Sequence, residues 1–303
     1  MDVRHFLTIT DLTAGELREV LDLAALDAAR LERPLAGQGA ALIFEKPSAR
    51  TRHSTEMAVV QLGGHPVYTR GDEIGFDVRE TVEDVTRILQ GYHRVITARV
   101  YDHAVLERMV AVAEVPVVNL LSDRSHPLQA VADALTMEEV LGEPLAGHTV
   151  AWVGDYNNVA RSLGEITVLL GGHIRYGCPV GYAADDVELE RLSLLGAGSA
   201  TQTHRPADAV AFADFVHADT WVSMGQEGDT AERRLAFEGF RVDRELMDAA
   251  ATGAHFMHCM PAYRDIEVTA DVFDGPRSVA IRQGHLRLPA ARAVLAFLLG
   301  CRA

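Results

Sequence analysis

The sequence predicts an α/β protein of two doubly wound domains, each a parallel β-sheet flanked by helices. Three observations carry this expectation. The chain has 303 residues, about two domains at roughly 150 residues each. Short β-rich apolar runs alternate with helix-like stretches, the rhythm of a parallel sheet. The turn-rich stretch Gly142-Glu143-Pro144-Leu145-Ala146-Gly147 interrupts that rhythm, which then restarts.

Thr13-Ala14-Gly15-Glu16 has the capping-box form, and Leu17, Val20, Leu21 and Ala24 follow at helical spacing, so a first helix is expected over 13–31. Strands are expected at 40–44, 66–69, 95–100 and 115–121, each followed by a helix-like stretch. The turn after Phe44 leads into a helical pattern that closes at Gly63-Gly64, which places Ser48 at an N-cap. Beyond the linker, strands are expected at 149–153, 174–176, 215–222 and 255–259. The last apolar stretch, 288–299, reads as a helix whose pattern does not assign it to either domain.

Composition sets the bounds on function. Hydrophobic residues make up 48% and charged residues 23%, a globular balance. The formal net charge of −15 leaves no global positive field for nucleic acid or anionic lipid, so an anionic ligand must be held by local cations. Cys178, Cys259 and Cys301 are too few and too scattered for a disulfide framework, which points to a reducing compartment, the cytoplasm by default. Residues 1–5 open no apolar signal stretch, and no apolar run nears the roughly 20 residues a membrane span needs. Lys46 is the single lysine among 28 cationic residues.

That lysine lies in Glu45-Lys46-Pro47-Ser48-Ala49-Arg50-Thr51-Arg52, where three cations and two hydroxyls crowd one turn. Backbone N–H groups at a helix start carry partial positive charge, and Ser48 and Thr51 add donors. Arg50 or Arg52 adds a bidentate fork, and the combination suits a phosphate dianion. An ordinary serine cap with solvated arginines is the plainer account of the spacing. His126-Pro127-Leu128-Gln129 follows the run ending at Leu121 and sets an imidazole and a carboxamide at a strand end, where open α/β sheets bind ligands. A structural turn with proline at helix position N1 is its competitor. Arg99, near the end of the 95–100 run, needs an anion or a carboxylate partner.

In the second half, Gly154-Asp155-Tyr156-Asn157-Asn158 follows a strand, but Tyr156 and Asn158 stand where a dinucleotide fingerprint requires small residues. Nicotinamide binding is not expected. Residues 219–225, from Asp219 through Ser223 and Met224, and His258-Cys259-Met260-Pro261 each place polar groups where an apolar strand ends, and both could line one crevice. Cys259 is open to two readings, a small buried hydrophobe or a reactive thiol. Zinc at His258 and Cys259 lacks further spaced ligands, so no metal is expected. Arg282 and Arg287 are expected to be solvated unless a site draws one inward.

Together these segments resemble the transcarbamoylase family, in its ornithine branch, through nearly the whole chain. Residues 44–52 are similar to the carbamoyl-phosphate signature usually written Ser-Thr-Arg-Thr-Arg, and 126–129 match His-Pro-x-Gln. Both motifs are shared with the aspartate branch. Ser-Met-Gly within 219–225 and His-Cys-Met-Pro at 258–261 resemble the ornithine branch. The resemblance implies a carbamoyl-phosphate domain of residues 1–141 completed by a C-terminal helix at 286–303, and an ornithine domain of residues 142–285. It also implies an active site in the cleft between the two domains, a cytoplasmic homotrimer whose sites borrow residues from a neighbouring subunit, a place in arginine biosynthesis, and no cofactor.

The implied reaction moves the carbamoyl group of carbamoyl phosphate to the side-chain amine of L-ornithine, giving L-citrulline and phosphate. A relative using another ornithine-like amine, or a non-catalytic ligand-binding relative, is the alternative. Carried over by position, Ser48, Ala49, Arg50 and Thr51 hold the phosphate, Arg99, His126 and Gln129 surround the carbamoyl group, and Arg287 faces the same substrate. Asn158, Asp219, Ser223 and Met224 hold the amino-acid end of ornithine, with Cys259 and Met260 beside its side-chain amine. Arg99, His126, Asp219 and Cys259 form the catalytic set. The chain also departs from the family pattern. Ala49 replaces a threonine, Tyr156 replaces a glycine, and the 70–75 loop carries Asp72 and Glu73 where a Gln or His is expected. His285 breaks a Glu-Asn-Arg run of which only Arg287 remains.

Overall fold

The computed structural model describes residues 3–222 and 230–303. It divides into two compact units, 1–135 with 286–303, and 136–285. In the first, α1 (Ala14–Ala25), β1 (Gly39–Phe44), α2 (Ala49–Gln61), β2 (His65–Arg70), α3 (Gly71–Ile74), α4 (Val82–Leu89), β3 (His93–Arg99), α5 (His103–Val110) and β4 (Val117–Leu121) follow in order. Helix α6 (Pro127–Leu141) leads into the second unit. There β5 (Thr149–Val153), α7 (Asn158–Leu169), β6 (His173–Gly177), α8 (Asp186–Ser193), β7 (Ser199–Thr203) and α9 (Pro206–Val210) precede β8 (Phe215–Ala218). The unit continues through α10 (Thr230–Ala236), α11 (Arg244–Ala249), β9 (His255–His258) and α12 (Ala270–Phe273), and α13 (Ala280–Leu298) returns the chain to the first unit.

Both sheets are parallel, with strand orders β2-β1-β3-β4 and β7-β6-β5-β8-β9. Each order reverses direction once, between β1 and β3 in the first sheet and between β5 and β8 in the second. Chains leaving the carboxyl ends of two such neighbouring strands go to opposite faces and open a crevice, the usual ligand position in doubly wound sheets. Burial of the inner strands β1, β5 and β8 explains their near-continuous apolar runs. Ala41, Ile43, Ile96, Ala98 and Val117 join one core, and Val150, Trp152, Ile174, Tyr176 and Phe215 another. Each large apolar side chain so buried contributes about 1.5–3 kcal/mol.

The capping box forms as expected, with the Thr13 side chain accepting from Glu16 N and Glu16 holding Thr13 N. Arg4 is the main reason the Glu16 carboxyl falls to about 2, with the Thr13 N–H next. The helix ends at Ala25, short of the expected 31, because Asp27 turns its side chain onto Ala29 N and starts a separate 3-10 turn. Strand β4 begins two residues later than expected because Pro116 has no N–H to give the ladder. Strand β8 ends at Ala218 rather than 222, since Asp219 folds its carboxylate onto Thr220 N. Strand β7 was not expected at all. Its sequence Ser-Ala-Thr-Gln-Thr has no apolar run, and it forms as an edge strand.

Candidate active site

In the first unit, the turn after β1 and the end of β3 meet at the reversal of strand order, with Phe44 in register with Arg99. Ser48 is the N-cap of α2, and its Oγ accepts from Thr51 N at 3.4 Å while donating to Thr51 Oγ1 at 3.0 Å. Thr51 Oγ1 also accepts from Arg287 Nη2 at 2.7 Å, so its own proton is left for a ligand. The first N–H groups of α2, from Ala49 onward, have no partner within the helix. The Arg50 Nε atom is buried and has no hydrogen-bond partner among the described residues.

Arg287 is drawn inward, the exception to solvation that the sequence reading allowed, and is 7% exposed. Its Nη1 donates to Gln129 Oε1 at 2.9 Å, and Gln129 Nε2 donates to Asp133 Oδ1 at 2.7 Å. The Gln129 amide is thereby fixed in one orientation. Arg282 stays outside, paired with Glu139. Arg99 and His126 are buried in the same unit. Burial, and then the charges of Arg287 and Arg99, push the His126 pKa well below the ordinary 6.5. The imidazole is therefore neutral at pH 7, an uncharged partner amid arginines. Since the unfolded chain binds a proton near pH 6.5 that folded His126 refuses, unfolding free energy falls as pH drops below 6.5. The slope for this one group is at most about 1.4 kcal/mol per pH unit. Urea titrations from pH 7 to 5 should show His126→Gln with a shallower loss than the parent, and equal slopes would mean that His126 is not the group.

In the second unit, the reversal of strand order brings together the turns after β5 and β8. Gly154 leaves β5 at φ +138°, a conformation that side chains rarely adopt, and the chain then enters α7. Asn157 caps α7, its Oδ1 accepting from Val159 N and Ala160 N at 2.9 and 3.0 Å. Its Nδ2 donates to Asp219 Oδ2 at 2.9 Å, while Asp219 Oδ1 accepts from Thr220 N at 2.8 Å and Cys259 Sγ at 2.9 Å. Asp219 is a buried carboxylate locked by three donors, suited to a cationic amine.

Asn158 is half-buried at the start of α7, and Met260, at φ +57°, donates its N–H to His258 Nδ1 at 2.9 Å. Ser223 and Met224 lie outside the described residues. Asp219, His258 and Cys259 offer donor atoms within 4.8 Å of one another, a trio that could hold a metal ion. Sequence spacing missed it because Asp219 is remote in the chain.

Two further residues escaped sequence reasoning. Asn157 bonds Asp219 directly, and a helix-capping asparagine next to a strand end was its signal. Arg233 pairs with Asp155 and donates to Trp221 O at 2.6 Å, and nothing in the local sequence marks it. Burial raises the Asp155 carboxyl, with Arg233 opposing and Asp219 adding to the rise. The departures also find places. Ala49 is exposed, Tyr156 donates its phenol to Glu188 at 2.7 Å, and exposed Asp72 pairs with Arg70. Glu73 accepts from Arg70 N, and His285 is exposed.

Comparison with known proteins gives matches over both halves of the chain. The family model described as "Aspartate/ornithine carbamoyltransferase, carbamoyl-P binding domain" matches residues 4–139, and the "Asp/Orn binding domain" of the same family matches residues 146–298. An ornithine carbamoyltransferase of Parafrankia sp. is 44% identical, the alignment covering 99% of this chain and 97% of that one. An anabolic ornithine carbamoyltransferase of Pyrococcus furiosus is 41% identical, covering 98% of this chain and 96% of the relative. A solved ornithine carbamoyltransferase structure from Pyrococcus furiosus superposes with a TM-score of 0.93 at 41% identity, over 99% of this chain and 98% of that one.

Proposed function

The chain belongs to the aspartate/ornithine carbamoyltransferase family, and from that premise we infer that it transfers the carbamoyl group of carbamoyl phosphate to the side-chain amine of L-ornithine, releasing L-citrulline and phosphate. The observation that carries this reading is the start of α2, where Ser48, Thr51 and buried Arg287 converge at a strand-end crevice. That cluster has the donors and charge a phosphate dianion needs. Arg99, His126 and Gln129 are assigned to the carbamoyl group. Asn158, Asp219 and Cys259, with Met260, Ser223 and Met224, are assigned to ornithine.

The chemistry follows from these assignments. A neutral amine attacks the carbonyl carbon of a mixed anhydride, negative charge grows on the carbonyl oxygen, and as the C–N bond forms the C–O bond breaks and phosphate leaves with the proton that the amine nitrogen gives up. Arg99, the Thr51 hydroxyl and neutral His126 stabilise that oxygen, a contribution of about 3 kcal/mol for one well-placed donor. Arg50 and the α2 N–H groups receive the departing phosphate. Asp219 holds positive charge on the incoming amino acid. We take the enzyme to act as a cytoplasmic homotrimer in arginine biosynthesis. Three free cysteines suit a reducing compartment, and no described helix is long and apolar enough to cross a membrane.

The reading is tested by supplying the purified protein with carbamoyl phosphate and a panel of amines while measuring phosphate release. Turnover with L-ornithine is expected, and turnover confined to another amine, or to none, rejects it. Arg50→Ala is expected to weaken carbamoyl-phosphate binding at least several-fold at unchanged melting temperature, because Arg50 is a charge-assisted donor and not a core residue. Titration calorimetry measures the effect, and unchanged affinity removes Arg50 from the site.

A further inference from the structure

We propose that Asn119, Ser122 and His103 are positioning residues for the carbamoyl-phosphate site, because together they fix the turn that carries His126. The inference rests on the assignment of His126 to that substrate. Only residues 122–126 separate β4 from α6, and His126 immediately precedes Pro127. The turn closes on itself through Ser122 N to Ser125 O at 2.9 Å and Ser125 N to Ser122 Oγ at 3.3 Å. Asn119, fully buried in β4, spreads its amide protons over Ser122 Oγ and Ser125 O, both at 3.2 Å, and Leu7 O at 2.8 Å. One side chain thus joins the turn to its own strand and to the N-terminal segment paired beside it.

His103, at the start of α5, completes the arrangement from the other side. Its Nδ1 lies 2.7 Å from Ser122 Oγ, and its N–H donates to Asp123 Oδ1 at 2.9 Å. Ser122 Oγ already accepts from Asn119 Nδ2 and Ser125 N, and its contact with Ser125 O is long at 3.5 Å, so the 2.7 Å contact is one in which the hydroxyl donates to Nδ1. That requires an unprotonated Nδ1, hence a neutral imidazole. Burial, the largest cause, and the Arg124 charge favour that form, while Glu107, Asp123 and Asp11 oppose it. The donors of this set are satisfied within it, while the buried Asn119 Oδ1 has no partner among the described residues, so removing one member strands the others.

The test compares Ser122→Ala, His103→Leu and His103→Gln with the parent, at a temperature where circular dichroism shows each to be folded. Gln retains an acceptor for the Ser122 hydroxyl, and Leu does not. Ser122→Ala and His103→Leu are expected to weaken carbamoyl-phosphate binding and lower kcat at least fivefold, with the ornithine KM within twofold of the parent. His103→Gln should stay within twofold throughout. A purely structural role would lower the melting temperature without moving carbamoyl-phosphate affinity. Folded Ser122→Ala with parental affinity and kcat overturns the proposal. Should that variant not fold, equal behaviour of His103→Leu and His103→Gln overturns it. A parent that binds carbamoyl phosphate but makes no citrulline refutes the ornithine reading instead, and the binding arm still decides the role of the turn.

Discussion

Arg99→Leu is expected to lower kcat by about 10²–10³-fold, roughly 3–4 kcal/mol of transition-state stabilisation, while the protein remains folded. Arg99 ends an inner strand and is only 6% exposed, so its guanidinium has left most of its water. A cation held in such a place acts in a low local dielectric and needs no reorganisation when charge develops beside it. Its charge already reaches His126, whose pKa it helps to depress. Leucine fills much of the volume on a strand whose other buried residues, Thr97 apart, are apolar, so the fold should tolerate the change. Steady-state rates with both substrates saturating measure it. A decrease of less than about fivefold would place the oxyanion role elsewhere, with His126 and Thr51 the remaining donors.

Asp219→Asn should act on the other substrate, reducing kcat/KM for ornithine by about 10²-fold or more and leaving carbamoyl-phosphate affinity unchanged. Two effects combine. The variant loses the negative charge that pairs with an ammonium, and its new amide nitrogen cannot accept from Asn157 Nδ2 if its oxygen keeps Thr220 N and Cys259 Sγ. Asn157 cannot flip to relieve this, because its Oδ1 caps α7. One lost charge-assisted contact plus an Asn157 amide proton left without its acceptor amounts to about 3 kcal/mol. Ornithine saturation curves, with carbamoyl-phosphate titrations as the control, separate the outcomes. Equal loss of affinity for both substrates would mean that Asp219 supports the fold at large.

Where a function depends on local pattern, the sequence was readable. Ser48 as a helix cap, the capping box at Thr13, and polar residues closing β1, β4, β5 and β8 all follow from periodicity and turn chemistry within a few residues. The inner strands were readable for the same reason, since a strand buried on both faces writes an unbroken apolar run, whereas the edge strand β7 has none and was not. Residues whose place depends on distant parts of the chain were not. Arg287 reaches Thr51 across 236 positions, and its helix looks the same whether the guanidinium points to water or inward. Asn157 and Arg233 acquire meaning only through Asp219, Asp155 and Trp221, which the fold, not the spacing, brings near. Cys259 was open between buried hydrophobe and reactive thiol because one neighbour, the Asp219 carboxylate, decides its surroundings.

The most direct test is a crystal structure after soaking with phosphonoacetyl-ornithine, the stable mimic of both substrates joined. The phosphonate should lie at the start of α2, within hydrogen-bonding distance of Ser48, Thr51 and the backbone N–H groups that follow Ser48, with Arg50 alongside. A phosphonate bound anywhere else, with that helix start occupied only by water, would contradict the account.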